Sequence, residues 1–221
     1  MGFFAKKEIL PLSLIFTVIL VTAIFYPVLP EKVPSHWNIE GEVDSWSSKN
    51  FTVLFFPSLV LGLYLLMTLL PKIDPLKENY LKFIGSFFWL KVIFVAFFSL
   101  LYFYTLWAAS GNAFSINNLI IPAVSFLFVT LGFFLPKTKR NYFVGIRTPW
   151  TLSSDEVWDK THRFSRKVFI AGGLTIFLGV FFKDLTPWFF LATILLAVLF
   201  PIIYSYLVFH KIGGKDKKGI I

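Results

Sequence analysis

The sequence predicts an all-α, polytopic membrane protein with six transmembrane helices, and two observations lead to that fold class. Of its 221 residues, 57% are hydrophobic and only 15% are charged, and the mean hydropathy is +0.74. A soluble domain usually carries roughly 25% charged residues. The apolar residues also gather in runs of about 20, the length that a helix needs to cross a bilayer core of roughly 30 Å.

The six predicted spans are bounded mainly by proline and by charged residues. Pro11 falls in the first turn of the first span, where proline is tolerated, and Pro27 and Pro30 end that span. Pro71 and Pro136 follow the second and fourth spans, and the fifth is short and rich in glycine. The spans cover about residues 9–29, 51–70, 83–107, 118–135, 168–182 and 188–209.

The distribution of lysine and arginine between the loops predicts the orientation. Most of these residues lie at the two termini and in the second and fourth loops, whereas Lys32, Lys49 and Lys183 lie in the alternate loops. Because cytoplasmic loops carry the excess of Lys and Arg, we expect both termini and the fourth loop in the cytoplasm. The acidic loop from Pro30 to Asn50 then faces outward. We divide the chain into an N-terminal half, 1–112, and a second half, 113–221.

Lys91 lies inside the third predicted span, which leaves two interpretations. A charge within the membrane often marks a functional site. Alternatively, the residue is about two turns from the cytoplasmic end, and its long stem can carry the ammonium to the headgroups. We favour the second interpretation.

Composition also excludes several classes of function. There is no cysteine, and therefore no disulfide, thiol nucleophile or zinc–thiolate site. The formal net charge of +9 indicates membrane topology and contact with anionic lipids, so we expect membrane lipids as partners and no direct binding of nucleic acid. The first apolar run is too long for the core of a signal peptide and lacks a small-residue cleavage pattern, which predicts no cleavable leader.

The fourth loop, 141–163, is the longest polar interruption of the chain. Gly145 can adopt backbone angles that other residues avoid, and Pro149 forces a turn or extended structure at the residue before it. Ser153 and Glu156 form an S-x-x-E capping box that predicts a short amphipathic helix. Four residues then fall on one face of this helix: Trp158, Thr161, His162 and Ser165. The pairs Glu156–Lys160 and Asp159–Arg163 have the i,i+4 spacing of helical ion pairs.

The chemistry of this loop is open to two interpretations. Arg147 and Arg163 could bind a phosphate or carboxylate, and His162 could titrate near neutral pH. Positive-inside topology alone also demands basic residues here. Ser153 or Thr161 beside His162 is not a catalytic triad, so we expect no enzyme activity and no cofactor.

The outer loop leaves three interpretations. His36 with Glu40, Glu42 and Asp44 could gather a divalent cation, but no ligand spacing is diagnostic of a metal site. We favour a turn-rich loop on the membrane surface, with Trp37 and Trp46 at the level of the headgroups. A surface for an extracellular peptide is the third interpretation.

Two motifs resemble known families. The fourth-loop motif N-Y-F-V-G-I-R-T-P-W-T-L, followed by V-W and T-H-R, resembles the signature of SdpI-type membrane proteins. Its candidate site residues are Asn141, Gly145, Arg147, Thr148, Pro149, Trp150, Thr151, Trp158, Thr161, His162 and Arg163. The outer-loop pattern resembles a small domain of unknown function with an H-W-N motif. Its candidate site residues are His36, Trp37, Asn38, Gly41, Asp44 and Lys49.

The resemblance implies a non-enzymatic immunity and signalling protein. Such a protein confers resistance to a secreted antimicrobial peptide toxin and holds a cytoplasmic transcriptional repressor at the membrane. The outer loop would engage the peptide, and the fourth loop would engage the repressor. Two other classes remain open: a transporter of a small solute or lipid, which requires a polar cavity at mid-membrane depth, and a membrane enzyme, which requires clustered acid–base or metal-binding groups.

Overall fold

A computed structural model describes residues 2–112 and 115–216 of the chain. Within these residues it is mostly helical. The α-helices are α1 (Gly2–Phe25), α2 (Lys49–Ile73), α3 (Lys77–Leu81), α4 (Ile84–Ala109), α5 (Asn117–Phe134), α6 (Pro149–Ser153), α7 (Asp155–Leu178) and α8 (Thr186–Asp216). Two strands, β1 (Lys32–Trp37) and β2 (Val43–Ser48), lie between α1 and α2. Short 3₁₀ turns occupy Tyr26–Val28, Leu135–Lys137 and Lys183–Leu185.

Five helical segments in the described part of the chain are long and apolar enough to cross a membrane. They are Lys7–Val28, Lys49–Ile73, Ile84–Ala109, Asn117–Lys137 and Lys183–Ile212. Large apolar side chains such as Phe16, Leu54 and Phe126 lie on their exposed faces, as expected of helices whose solvent is lipid. The chain is a multi-pass membrane protein. A sixth span and the orientation of the termini stay predictions.

The remaining predicted span, 168–182, is part of a longer helix. The prediction of a separate short amphipathic helix before it is wrong, because α7 runs without interruption from Asp155 to Leu178. No proline or glycine occurs between Asp155 and Ala171, so nothing in the sequence breaks the helical hydrogen bonds. The first half of α7 is charged, and its second half is apolar.

The predicted cap of this helix is shifted by one residue. Ser154, rather than Ser153, is the N-cap of α7, and its hydroxyl accepts a hydrogen bond from the backbone N–H of Val157. Ser153 instead closes α6 and donates to the carbonyl of Trp150 at 2.9 Å. The break between α6 and α7 falls at Ser154, where the backbone is extended.

A β-hairpin corrects the all-α prediction. Strands β1 and β2 are antiparallel, with Val33 opposite Ser47 and with irregular pairing on both sides of His36. Gly41 has a φ of +85° in the turn, a conformation that favours glycine. The side chain of Asn38 accepts a hydrogen bond from the N–H of Glu42 across the turn, at 2.8 Å. The pairing of the two strands satisfies the backbone hydrogen-bonding groups of this segment, although its polar side chains indicated only a loop.

The chain forms two compact units. The first contains residues 1–69 and 89–120, and its core includes Val18, Val60, Val95 and Leu106. Val33 of β1 is fully buried in the same core and anchors the hairpin. The second unit contains residues 70–88 and 121–221.

Lys91 lies in the first unit and does not extend to the surface, so the snorkelling interpretation is wrong. Its side chain is 5% exposed, and its ammonium lies 2.7 Å and 2.8 Å from the two carboxylate oxygens of Glu8 on α1. The hydroxyl of Tyr64 donates to the same carboxylate at 3.0 Å, and Thr68 lies 3.3 Å from the ammonium. A counter-charge inside the protein replaces headgroup water as the partner of the lysine.

Small residues bring the helices of the second unit close together. Gly132 of α5 lies against α7, where an added Cβ would meet the side chain of Ile170 at 2.7 Å. Gly173 of α7 lies against α5, where an added Cβ would meet the carbonyl of Ser125 at 2.8 Å. The hydroxyl of Ser125 donates to the Gly173 carbonyl at 2.8 Å. These contacts are typical of helices that pack within a membrane.

Candidate functional site

The loop between α5 and α6, residues 138–148, is organised around the buried side chain of Asn141. We call this segment the motif loop. The Asn141 amide donates to the carbonyls of Lys139 and Val144, both at 2.8 Å, and its carbonyl accepts from the N–H groups of Phe143 and Val144. The hydroxyl of Tyr80 lies 3.2 Å from the same oxygen and shares its one proton between Asn141 and Asp74. Asn141 therefore acts as an internal brace of the loop and is not available to a partner.

Asp74, which is not among the predicted site residues, completes this brace. It is 2% exposed and accepts hydrogen bonds from the N–H of Tyr142 at 2.9 Å and from the hydroxyl of Tyr80 at 3.3 Å. Burial and, next, the neighbouring Asp74 charge raise the pKa of Tyr80, so its hydroxyl stays a donor. The Asp74-Pro75 dipeptide after α2 was the available signal, because Asp before Pro favours a turn.

Gly145 of the motif loop packs against the stacked rings of Trp158 and His162 on α7. Gly145 has a φ of +114°, and an added Cβ would lie 2.6 Å from the imidazole Nε2 of His162. The Trp158 indole stacks on that imidazole with 4.2 Å between ring centroids, and its Nε1 donates to the carbonyl of Thr138. Glycine is required here both by the backbone angle and by the space.

The hydrogen bonds of His162 define its protonation state. Nε2 accepts from the backbone N–H of Ile146 at 3.0 Å, so the proton of the neutral ring is on Nδ1, which donates to the Trp158 carbonyl at 2.8 Å. Burial lowers the pKa of His162 from its usual 6.5 to about 4, opposed by the hydrogen bond to Trp158 and by the charge of Asp159. His162 is thus a neutral structural acceptor at physiological pH.

Thr148 and Thr151 cap α6 reciprocally. The Thr148 hydroxyl accepts from the N–H of Thr151 at 3.1 Å, and the Thr151 hydroxyl accepts from the N–H of Thr148 at 2.9 Å. Pro149 occupies the first helical position, where it is well tolerated. The Thr148 hydroxyl also lies 3.0 Å from the hydroxyl of Ser205, which ties α6 to α8.

The exposed residues of the motif form a second, smaller group. Arg147 is exposed, and its Nη1 donates to the Tyr142 carbonyl at 2.6 Å. Arg163 is also exposed on α7, and Trp150 is half-buried against Tyr206, with ring centroids 5.2 Å apart. Asp159 pairs with Lys139 at 3.1 Å in place of its predicted partner Arg163, which leaves the guanidinium on the surface. Thr161, by contrast, is fully buried.

The hairpin brings together part of the predicted outer-loop site. His36 and Asp44 lie on opposite strands with Nδ1 and Oδ1 2.6 Å apart, and both side chains are exposed, at 67% and 43%. Trp37 turns inward against Tyr104, and Lys49 lies over the ring of Tyr26 at 4.3 Å.

The remaining hairpin residues define its turn and its surface. Asn38 and Gly41 hold the turn, and Gly41 approaches the side chain of Asn117. Trp46 of β2 is 54% exposed beside the His36–Asp44 pair. No three His, Asp or Glu side chains meet at a possible metal site in the part of the chain that the structure describes.

Both groups of residues fall in regions that match known family models. Residues 137–205 match the SdpI/YfhL protein family, and residues 13–61 match a domain of unknown function, DUF1648. The chain is similar to the SdpI/YfhL family over the first of these regions.

A curated relative extends this match over almost the whole chain. The chain is 27% identical over 210 residues to Immunity protein SdpI of Bacillus subtilis (strain 168), and the alignment covers 95% of the chain and 99% of the relative. No solved structure matches the chain. The region similar to the SdpI/YfhL family contains the motif loop, α6, α7 and most of α8, and the region similar to DUF1648 contains the hairpin.

Proposed function

We propose that this chain is a membrane immunity and signalling protein that confers resistance to a secreted antimicrobial peptide and holds a cytoplasmic repressor at the membrane. The observation that carries the proposal is the end-to-end similarity to a relative named as an immunity protein, which includes both the hairpin and the motif loop. The absence of a recognisable nucleophile–base pair in the motif loop favours a binding role over catalysis.

The hairpin is the proposed receptor for the peptide. An exposed Trp46 offers apolar contact area to a membrane-active peptide, and the neighbouring His36–Asp44 pair offers hydrogen bonds. The buried Val33 and the half-buried Trp37, which packs against Tyr104, hold this surface in one conformation, so a peptide would bind it at a low cost in entropy.

The motif loop is the proposed cytoplasmic docking surface. The buried Asn141 within the loop and His162 beside it on α7 fix its backbone. Arg147 of the loop and Arg163 of α7 are exposed. Guanidinium groups suit carboxylates on a protein partner, and Trp150, half-buried against Tyr206 of α8, adds apolar area. We therefore expect an acidic surface on the repressor.

A toxin-challenge survival assay tests the proposal. A sensitive Bacillus strain that lacks its own immunity protein would express the wild-type chain, Trp46→Ala, Asp44→Ala or Glu40→Gln, with membrane levels matched by blotting. We expect protection by the wild type and a loss of protection in the first two variants. Glu40→Gln is the matched control, because Glu40 is exposed in the same hairpin turn and outside the His36–Asp44 pair.

Retention of a repressor at the membrane is tested separately with Arg147→Gln and Arg163→Gln. Fractionation of cells exposed to the peptide should show less repressor in the membrane fraction for these variants, with protection unchanged. If the wild type protects no better than an empty vector against the toxin, the immunity function is wrong. If the hairpin variants protect fully, the hairpin is not the receptor.

Transport of a small solute is a second candidate, favoured by the Glu8–Lys91 pair. Ionisable residues inside spans commonly mark transport pathways. Vesicles containing the purified chain and the pH dye pyranine would report proton movement. A flux that disappears in Lys91→Met would support this candidate, and a flux equal to that of empty vesicles would remove it.

A further inference from the structure

A groove of about 620 Å³ opens between the start of α7 and the end of α8. It lies within the second unit. Its walls combine charged side chains with apolar ones. The lining residues are Glu156, Lys160, Tyr204, Leu207, Val208, Lys211 and Ile212.

The apolar part of the groove lies at one end of a membrane span. Leu207, Val208 and Ile212 fall in the last turns of the segment Lys183–Ile212, which is apolar enough to cross the membrane. Tyr204, which lines the groove, stacks on Phe164 of α7, with ring centroids 4.2 Å apart and planes 8° apart. The groove therefore joins apolar side chains of a membrane span to charged side chains in the first half of α7.

The polar part of the groove carries excess positive charge. Lys160 and Lys211 line it together with one carboxylate, Glu156, which pairs with Lys160 at 2.5 Å. Arg163 and Lys167 follow Lys160 at i+3 and i+7 on the same face of α7, and both are exposed. An anionic group at this end would meet cations, while an attached hydrocarbon chain would meet the apolar walls.

We propose that this groove is a binding site for one anionic phospholipid, with its phosphate near Lys211 and Lys160 and an acyl chain along Tyr204, Leu207 and Val208. The charges explain a preference for an anionic headgroup, and the apolar walls explain why a free phosphate would bind less well. The bound lipid would fix the end of α8 against α7, next to the contact of Trp150 with Tyr206. This proposal stands independently of any toxin.

Native mass spectrometry of the full chain in detergent tests the site. The purified protein would be titrated with dioleoyl phosphatidylglycerol, with dioleoyl phosphatidylcholine, and with inorganic phosphate as the free anion. We expect one tight phosphatidylglycerol molecule per chain, weaker binding of phosphatidylcholine and no retention of phosphate. Loss of one lysine charge in Lys211→Gln should weaken phosphatidylglycerol binding about fivefold.

Two further variants separate the site from a general charge effect. Glu156→Gln frees Lys160 from its carboxylate and should strengthen phosphatidylglycerol binding. Lys72→Gln removes an exposed lysine outside the groove and should leave binding unchanged. Equal affinities for the two lipids, or equal losses in Lys72→Gln and Lys211→Gln, would overturn the proposal. Displacement of the lipid by an acidic helical peptide at lower concentration would also overturn it, in favour of a protein segment as occupant.

Discussion

Acidification is expected to destabilise the protein through the buried imidazole of His162. Its Nε2 accepts a hydrogen bond from the N–H of Ile146, so a proton there would replace an attraction by a contact between two donors. The pKa is lowered from 6.5 in the unfolded chain to about 4 in the folded one. Between these values the unfolded chain binds a proton that the folded chain does not, and stability therefore falls as the pH falls through this window.

The size of the effect follows from the two pKa values. Each unit of pKa difference corresponds to about 1.4 kcal/mol. Most of the proton uptake by the unfolded chain occurs between pH 7 and pH 4.5, where the folded chain stays largely unprotonated at His162. Over this range the free energy of unfolding should therefore decrease by about 2 kcal/mol. For a chain of this length that corresponds to a decrease in Tm of about 4–8 °C. Above pH 7 the contribution of His162 is constant.

The assay is thermal unfolding in detergent, followed by tryptophan fluorescence, at several pH values for the wild type and His162→Gln. The variant removes the titrating ring, whereas carboxylates elsewhere titrate in both proteins. We expect a lower Tm for His162→Gln at pH 7 and a smaller further decrease on acidification. Parallel Tm curves for the two proteins between pH 7 and pH 4.5 would refute the argument.

Three further predictions concern packing and charge. Gly145→Ala should lower the free energy of unfolding by about 2–5 kcal/mol, because a φ of +114° is strained for alanine and the added Cβ would displace the acceptor Nε2 of His162. Gly111→Ala is the control, because Gly111 has a φ of +89° but open space around it, and this variant should lower Tm less. Glu8→Gln should destabilise the protein by about 3–5 kcal/mol, because it leaves the buried Lys91 ammonium without its counter-charge. Lys91→Met should cost less, because the Glu8 carboxylate is 32% exposed and can be hydrated. In chemical denaturation the double variant should recover much of the loss, and a loss equal to the sum of the two single losses would contradict the pairing. Gly173→Val should lower Tm by forcing α7 away from an α5 carbonyl, and an unchanged Tm would contradict the close helix packing.

The apolar spans were predictable because they depend on local composition. Five of the six predicted segments coincide with spans of the structure to within a few residues, apart from the extension of the last helix. Each segment that crosses the membrane must be apolar towards lipid, whatever the other segments do. A single segment can satisfy its backbone hydrogen bonds within itself only as a helix. The face shared by Trp158, Thr161, His162 and Ser165 was likewise predictable from helical spacing and is buried as a set.

Other features depend on residues that are distant in the sequence. The pairing of Lys91 with Glu8 joins α4 to α1, and the support of the motif loop by Asp74 joins it to the end of α2. No local pattern indicates such partners, because their proximity exists only after the helices have packed. The hairpin was missed for a related reason, since strand pairing satisfies backbone groups that side-chain periodicity does not report.

The sequence by itself thus determined the membrane class, most of the spans and the two motifs that mark the family. Tertiary structure decided which motif residues are structural and which are available to partners. Hydrogen bonds and close contacts inside the second unit occupy Asn141, Gly145 and His162. Arg147 and Arg163, by contrast, are exposed. The physical reason is that burial and hydrogen bonding belong to the folded arrangement of several elements, whereas hydropathy and spacing belong to each segment alone.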